Sequence, residues 1–258
     1  MLVGVIHLPP LPGSPRAEAS TSAIAERAAA DARALADAGY DAVVVENFGD
    51  APFFAKRVPP VTVAAMTACG LAVRAAAPKL ALGINVLRND GEAAIAVASA
   101  CDAAFVRVNV LIGARVTDQG IIEGDAAHLF RLRRAIGADA VKVWADVDVK
   151  HSSPLGPPRP VKQEVEDLVK RAFADVVLVT GSGTGKGVDV AHLAAVKAAT
   201  TNPVLVASGA TVDLMPSLAA YSNGVIVGTA LRVGNVPGGP IDAALAKTFA
   251  DAFRAAYR

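Results

Sequence analysis

The residues of this chain with the most chemistry to offer stand at or near the ends of short apolar runs. His7 closes the run 2–7, Glu46 lies at the end of 41–47, and Asn85 near the end of 80–86. Arg107 and Asn109 end 103–109, Lys142 and Asp146 lie in 140–147, and Lys150 follows three residues beyond it. Thr180, Ser208 and Gly228 close the runs 176–180, 203–208 and 224–228. Glu46 and Asp146 are candidates for general base and acid. Arg107 and Lys142 would hold an anionic or enolate-like group, and a carboxylate beside such cations stays ionised, as a base must. His7, Asn85, Asn109, Lys150 and Thr180 would bind and orient a substrate. A lysine desolvated inside a protein loses basicity and can form a Schiff base, which makes Lys142 or Lys150 a candidate for that chemistry.

Taken singly, each of these residues also reads as half of a structural ion pair or, for His7, as a core histidine bonded to backbone. Their convergence is the informative feature, and it depends on the elements that carry them. The eight apolar runs are separated for the most part by Ala-rich stretches of helical spacing, the pattern of βαβ units and a parallel sheet. Eight such units in 258 residues match an α/β fold of the (β/α)8 TIM-barrel type. Alternate residues of a strand face opposite sides, and a charge buried under the helices would be costly. The charged set must therefore face inward: Phe105, Arg107 and Asn109 on one strand, Lys142, Trp144 and Asp146 on the next. Matching parity brings in His7, Glu46, Asn85, Thr180 and Ser208. In this architecture the active face lies where the strands end.

Helices are expected over 20–38, stopped by Gly39, and over 59–77, with Pro60 in the first turn. Others are expected over 125–136, 161–172, 190–199 and 240–257, with Asn89-Asp90-Gly91-Glu92 opening one more. The insertion 111–124 after the fourth strand reads as a small hairpin centred on Asp118-Gln119-Gly120. The Pro- and Gly-rich loop 148–160 reads as a lid or binding loop.

Three glycine-rich loops follow the late strands. Ser208-Gly209-Ala210-Thr211 and Gly228-Thr229-Ala230-Leu231 stand where barrels often cradle a phosphate on backbone N–H groups. Ser208, Gly209, Ala210, Gly228 and Thr229 are therefore the expected phosphate ligands. The segment 181–187 is not a nucleotide P-loop: Thr180 stands where the first glycine is required, and glycine follows Lys186.

Composition narrows the partners. A net charge of +1 without a Lys/Arg cluster argues against nucleic acid, and no apolar stretch reaches about 18 residues. Cys69 and Cys101 lie in Ala-rich helical segments without metal-ligand spacing and read as reduced core residues. With the first strand starting at Leu2, no secretory leader is expected. The chain reads as one cytoplasmic barrel domain over 1–258, compatible with a homo-oligomer. A metal-dependent hydrolase would draw on His7, Glu46, Asp146 and His151. The paired histidines usual on the first strand of such barrels are missing, so no metal and no cofactor are assigned.

Long strings of the chain resemble the BtpA family. They include His7-Leu8-Pro9-Pro10-Leu11-Pro12-Gly13-Ser14-Pro15, Val45-Glu46-Asn47-Phe48-Gly49-Asp50 and Gly83-Ile84-Asn85-Val86-Leu87-Arg88-Asn89-Asp90. Arg107-Val108-Asn109-Val110, Thr117-Asp118-Gln119-Gly120-Ile121-Ile122-Glu123-Gly124 and Ala145-Asp146-Val147-Asp148-Val149-Lys150-His151 belong to the same pattern, as does Val225-Ile226-Val227-Gly228-Thr229. Leu231-Arg232-Val233-Gly234-Asn235 departs from the lysine-containing, more polar form associated with many members. The resemblance implies a barrel similar to phosphate-binding barrels such as phosphoribosylanthranilate isomerase. One expectation is an isomerase, lyase or aldolase acting on a small phosphorylated metabolite. The other is a non-catalytic assembly or stability factor with photosystem I proteins as partners, the role for which the family is named.

Overall fold

Strand β1 (Leu2–His7) is buried along its whole length, and each of its neighbours begins with the same demand for cover on both sides. Such strands form parallel sheets with helices on the outside. In the computed structural model, which describes residues 1–181 and 187–257, that demand is met by closure. The chain runs through α1 (Thr21–Asp37), β2 (Ala42–Glu46), α2 (Pro60–Ala76), β3 (Ala81–Asn85), α3 (Gly91–Ala100) and β4 (Phe105–Val108). A hairpin, β5 (Ala114–Thr117) and β6 (Gly120–Glu123), precedes α4 (Ala126–Ala135) and β7 (Lys142–Asp148). Then come a short strand β8 (Ser152–Pro154), α5 (Val161–Glu166) running into a π turn, and β9 (Val176–Val179). The last elements are α6 (Val190–Ala198), β10 (Val204–Val206), α7 (Met215–Ala219), β11 (Gly224–Val227) and α8 (Ala243–Ala256).

Eight parallel strands close in the order β1-β2-β3-β4-β7-β9-β10-β11, with β11 returning to pair β1. The fold is a TIM barrel. Helix limits follow local chemistry: the Ser20 hydroxyl accepts from Ala23 N–H at the start of α1, and Gly39 takes φ +86° just past its end. Asp90, Asp125, Asp189 and Asp242 cap α3, α4, α6 and α8 in the same way, each cap worth about 1 kcal/mol.

Inside the barrel, Phe105 and Trp144 stack with ring centroids 3.7 Å apart and form a floor with Val5, Val44, Leu178 and Ile226. Gly83 makes room for that floor, since a Cβ there would lie 2.1 Å from the Phe105 ring. The apolar floor forces polar side chains of the strand ends upward, toward the mouth. Cys69 and Cys101 are buried and unpaired. Among the described residues, no helix is long and apolar enough to cross a membrane.

The expected hairpin is present, and it has a partner that the sequence pattern did not reveal. Strand β8, from the loop after β7, pairs with β5 in antiparallel register, Thr117 opposite Ser152 and Arg115 opposite Pro154. The result is a three-stranded sheet, β6-β5-β8, that ties two βα loops together at the mouth. Arg115 fastens it to the barrel by donating to the Val147 carbonyl at 3.1 Å and pairing with Asp148 at 3.0 Å.

Candidate active site

Register places His7 beside Glu46, Glu46 beside Asn85 and Asn85 beside Arg107, so four consecutive strands deliver one polar ring above the aromatic floor. Around that ring the barrel mouth has two differently built halves.

The first half joins β1, β2, β10 and β11. A cavity of about 230 Å³ is lined there by His7, Glu46, Arg107, Lys150, Ser208, Gly209, Ala210, Gly228 and Thr229. The His7 ring stacks on Phe48 with centroids 4.3 Å apart, and its Nδ1 accepts the Gly238 N–H at 3.3 Å. Nδ1 is thereby the acceptor nitrogen, and the ring proton belongs on Nε2. Nε2 lies 3.9 Å from Glu46 Oε1, too far for a direct hydrogen bond and close enough to share one reacting molecule. Burial pushes the imidazole well below the usual histidine range, and Arg232, Lys150 and Arg107 push it the same way. His7 is therefore neutral at pH 7, an N–H donor beside a carboxylate. Glu46 is itself buried, and among the described residues its carboxylate has no hydrogen-bond donor.

Below these two groups, the loops after β10 and β11 turn backbone toward the cavity. Gly209 takes φ +79°, a conformation that favours glycine. Among the described residues, no acceptor takes the amide N–H of Gly209, Ala210 or Thr229. Gly228 lets the imidazole approach the turn, because a Cβ there would stand 3.2 Å from His7 Cε1. Glycine geometry, amide donors without an acceptor among the described residues, and the cations Arg107 and Lys150 are features that could hold an anion.

The second half joins β3, β4 and β7 and is closed on itself. Asp146 accepts from Arg107 Nη2 at 3.1 Å, from Arg107 Nε at 3.3 Å and from Asn109 Nδ2 at 2.7 Å. Asn85 donates to the Arg107 carbonyl at 3.0 Å and to Asn109 Oδ1 at 3.3 Å, leaving its own buried Oδ1 without a partner among the described residues. The Asp146 side chain is wholly buried against Arg107 and Asn109 and does not line the His7 cavity. Thr180 donates to the Asp148 carbonyl at 2.8 Å. Lys150 lies in the loop between β7 and β8; burial lowers the basicity of its amine, with Glu46 opposing that shift.

One expected site residue lies elsewhere. Lys142 is the first residue of β7, at the end of the barrel opposite the mouth; its side chain is 59% exposed and pairs with Asp175 at 3.3 Å. Strand parity specifies the face of the sheet but not the height along it, so it could not tell Lys142 from Asp146. Neither the role of holding an anionic or enolate-like group nor the Schiff-base role fits that position. His151 is exposed, and no group of three or more His, Cys, Asp or Glu among the described residues could hold a metal ion. Residues 182–186 of the third glycine-rich loop lie outside the described residues.

Two arginines of the mouth were missed. Arg88, just beyond β3, is buried and donates to the Lys150 carbonyl at 2.8 Å, so it fixes the backbone that carries Lys150. Arg232, beyond β11, is completely buried beneath the phosphate-loop candidate. The readable signal for Arg232 was a lone cation amid Ala230-Leu231-Arg232-Val233; Arg88 lay beyond the strand run and had none.

Comparisons with known proteins agree with this architecture. The model of the BtpA family matches residues 1–255. The Photosystem I biogenesis protein BtpA of Synechocystis sp. is 46% identical over 239 residues, covering 91% of this chain and 82% of that one. An uncharacterised protein of Thermococcus kodakarensis is 46% identical over 231 residues, 90% and 86% of the two chains. An uncharacterised mitochondrial protein of Caenorhabditis elegans is 30% identical over 238 residues, 91% and 86% of the two. Among solved structures, thiamine phosphate pyrophosphorylase from Pyrococcus furiosus superposes with TM-score 0.60 at 12% identity, covering 100% of this chain and 96% of that one. A 3-hexulose-6-phosphate synthase gives 0.60 at 19%, covering 97% and 98%. At these identities the likeness is one of fold.

Proposed function

The chain belongs to the BtpA family, and from its barrel mouth we propose an enzyme that moves a proton next to a carbonyl in a small phosphorylated metabolite, as an isomerase or lyase does. One observation carries the reading: amides of Gly209, Ala210 and Thr229 without an acceptor and a Glu46 carboxylate without a donor among the described residues meet a neutral His7 N–H in one cavity. The phosphate would sit on the amides of the two glycine turns, with Ser208 and Gly228 alongside. Glu46 would take the proton from carbon. His7 Nε2–H would donate to the carbonyl oxygen as negative charge develops on it, a division of labour that a neutral imidazole performs without losing its own proton. Arg107 and Lys150 would stabilise the enolate-like charge, and Arg107 in turn is held by Asp146.

The volume bears on the substrate. A cavity of about 230 Å³ is below the roughly 300–1,000 Å³ usual for drug-sized ligands, which favours a small metabolite. Several barrels of like fold are named for phosphorylated compounds, which supports the same ligand class.

The test has two parts. Calorimetric titration with inorganic phosphate and with glycerol phosphate should give saturable binding. Incubation in D2O with three- to five-carbon hydroxyketone phosphates should exchange a carbon-bound proton beside the carbonyl, read by NMR. Absence of both overturns the proposal. A second reading has its own support in the burial-lowered amine of Lys150: an aldolase-like Schiff base there. Borohydride in the presence of a carbonyl substrate would trap an adduct on Lys150 in that case and leave the protein unmodified otherwise. A role confined to photosystem I rests on the name of one relative, and relatives in an archaeon and a nematode, which have no photosystem I, support a more general chemistry.

A further inference from the structure

Arg232 presents an unusual arrangement for a guanidinium with no solvent exposure. No carboxylate reaches it within salt-bridge distance among the described residues. Instead it donates to three backbone carbonyls on three segments: Nη2 to Val5 of β1 at 2.9 Å, Nη1 to Gly228 at the end of β11, and Nε to Gly239 at 2.9 Å. Burial pushes its basicity down to about 10, and the buried Asp31 of α1 opposes that shift. Removing such a charge from water is expensive, and a shorter apolar residue would fill the space at lower cost.

Two consequences follow from where these carbonyls lie. A trans peptide points its C=O and N–H in opposite directions. The Gly228 carbonyl accepts from Arg232 and, at 3.2 Å, from the Leu231 N–H, so the Thr229 N–H of the same peptide points the opposite way, to the side of the cavity, where it has no acceptor among the described residues. Binding the Gly239 carbonyl fixes the turn two peptides along from the one whose Gly238 N–H holds His7 Nδ1. Arg27 clamps the same turn from outside, donating to the Gly238 carbonyl at 2.6 Å.

We propose that Arg232 is a positioning residue that aims the Thr229 amide at a bound anion and, through the 232–239 loop, keeps the ring proton of His7 on Nε2. The first half rests on the phosphate-binding reading above; the second does not. Arg232 touches no reacting atom. It sets the orientation of two groups that do, and its charge adds to the forces keeping His7 neutral.

Nuclear magnetic resonance of 15N-labelled wild-type protein tests both halves without a substitution. His7 should give the ring 15N shifts of the neutral Nε2–H form at pH 7, and inorganic phosphate should shift the Thr229 amide together with those of Gly209 and Ala210. An Nδ1–H or protonated His7 overturns the proposal, as does phosphate that moves Gly209 and Ala210 but leaves Thr229 unmoved. If no amide moves, the phosphate-binding reading has failed, and the His7 spectrum alone judges Arg232. In the variant Arg232→Lys, a compact ammonium lacks the spread of Nε, Nη1 and Nη2 with which the guanidinium reaches carbonyls on three segments. Phosphate affinity should fall about tenfold or more, the cost of losing one hydrogen bond to a charged group, and His7 should become a mixture of tautomers. A folded variant with lowered melting temperature but unchanged phosphate affinity and unchanged His7 shifts would reduce Arg232 to scaffold and overturn the proposal. Should the variant fail to fold, the wild-type spectra decide.

Discussion

The two halves of the barrel mouth contain similar side chains and differ in what those side chains have left to give. Around Asp146, the hydrogen bonds of Arg107, Asn109 and Asn85 are directed mostly at one another. Around His7, the Glu46 carboxylate and the amides of Gly209, Ala210 and Thr229 have no partner within the described chain. Buried polar groups are ordinarily paired, so the Asp146 cluster, where Asn85 Oδ1 alone lacks a partner among the described residues, speaks for architecture, and the more open His7 half for a missing guest. Charge alone would have ranked the Asp146 half first. Counting satisfied groups reverses that order.

The comparison is open to attack on both sides. Glu46→Gln, nearly isosteric, should cut carbon-bound proton exchange by about two to four orders of magnitude, the usual worth of a general base, while the melting temperature stays within a few degrees. A large drop in melting temperature with exchange intact would move Glu46 into the scaffold half. Asp146→Ala should do the reverse. It strands the buried Arg107 charge, which costs about 3–5 kcal/mol by chemical denaturation, while phosphate affinity is largely kept. If its stability were instead unchanged and binding abolished, the division between halves would collapse.

Acid should report on His7. Its folded-state value lies well below the unfolded value near 6.5, so between the two the unfolded chain carries a proton that the folded chain refuses. Stability contributed by this group is complete above about pH 6.5 and is lost as pH falls from there toward the folded value, at up to about 1.4 kcal/mol per pH unit. Thermal melts from pH 7 to 5.5 should slope downward on acidification, and His7→Gln should flatten that slope. The smallest effect is expected of Lys142→Ala. It removes an exposed pair with Asp175 at the far end of the barrel, worth about 0–1 kcal/mol, and phosphate affinity should be unchanged.

Much of this was legible before any coordinates. The closed barrel, the limits of the first helix near Ser20 and Gly39 and the hairpin after β4 all rest on local patterns that tertiary packing had no reason to override. Strand parity brought His7, Glu46, Asn85 and Arg107 to one ring because register between parallel strands preserves it. It failed for Lys142, since a pattern of period two carries no information about depth. Arg88 and Arg232 escaped because they lie past the strand ends, where no periodicity fixes direction. Strand β8 is three residues long and exists through its pairing with β5, a contact between segments some 36 residues apart.

That short strand constrains how such a mouth can be altered. The roof over the Asp146 side is woven from two loops, and Arg115 of one is pinned to Val147 and Asp148 beside the other. Neither strip is long enough to hold its shape alone, as isolated hairpins in water are marginal at best. Grafting residues 111–124 onto a foreign barrel without 148–155 would transplant a ribbon with a bare edge, and replacing 148–155 by itself would leave the native hairpin with one. The two loops form a single inheritable part: a barrel that exchanges one for a new specificity must exchange both.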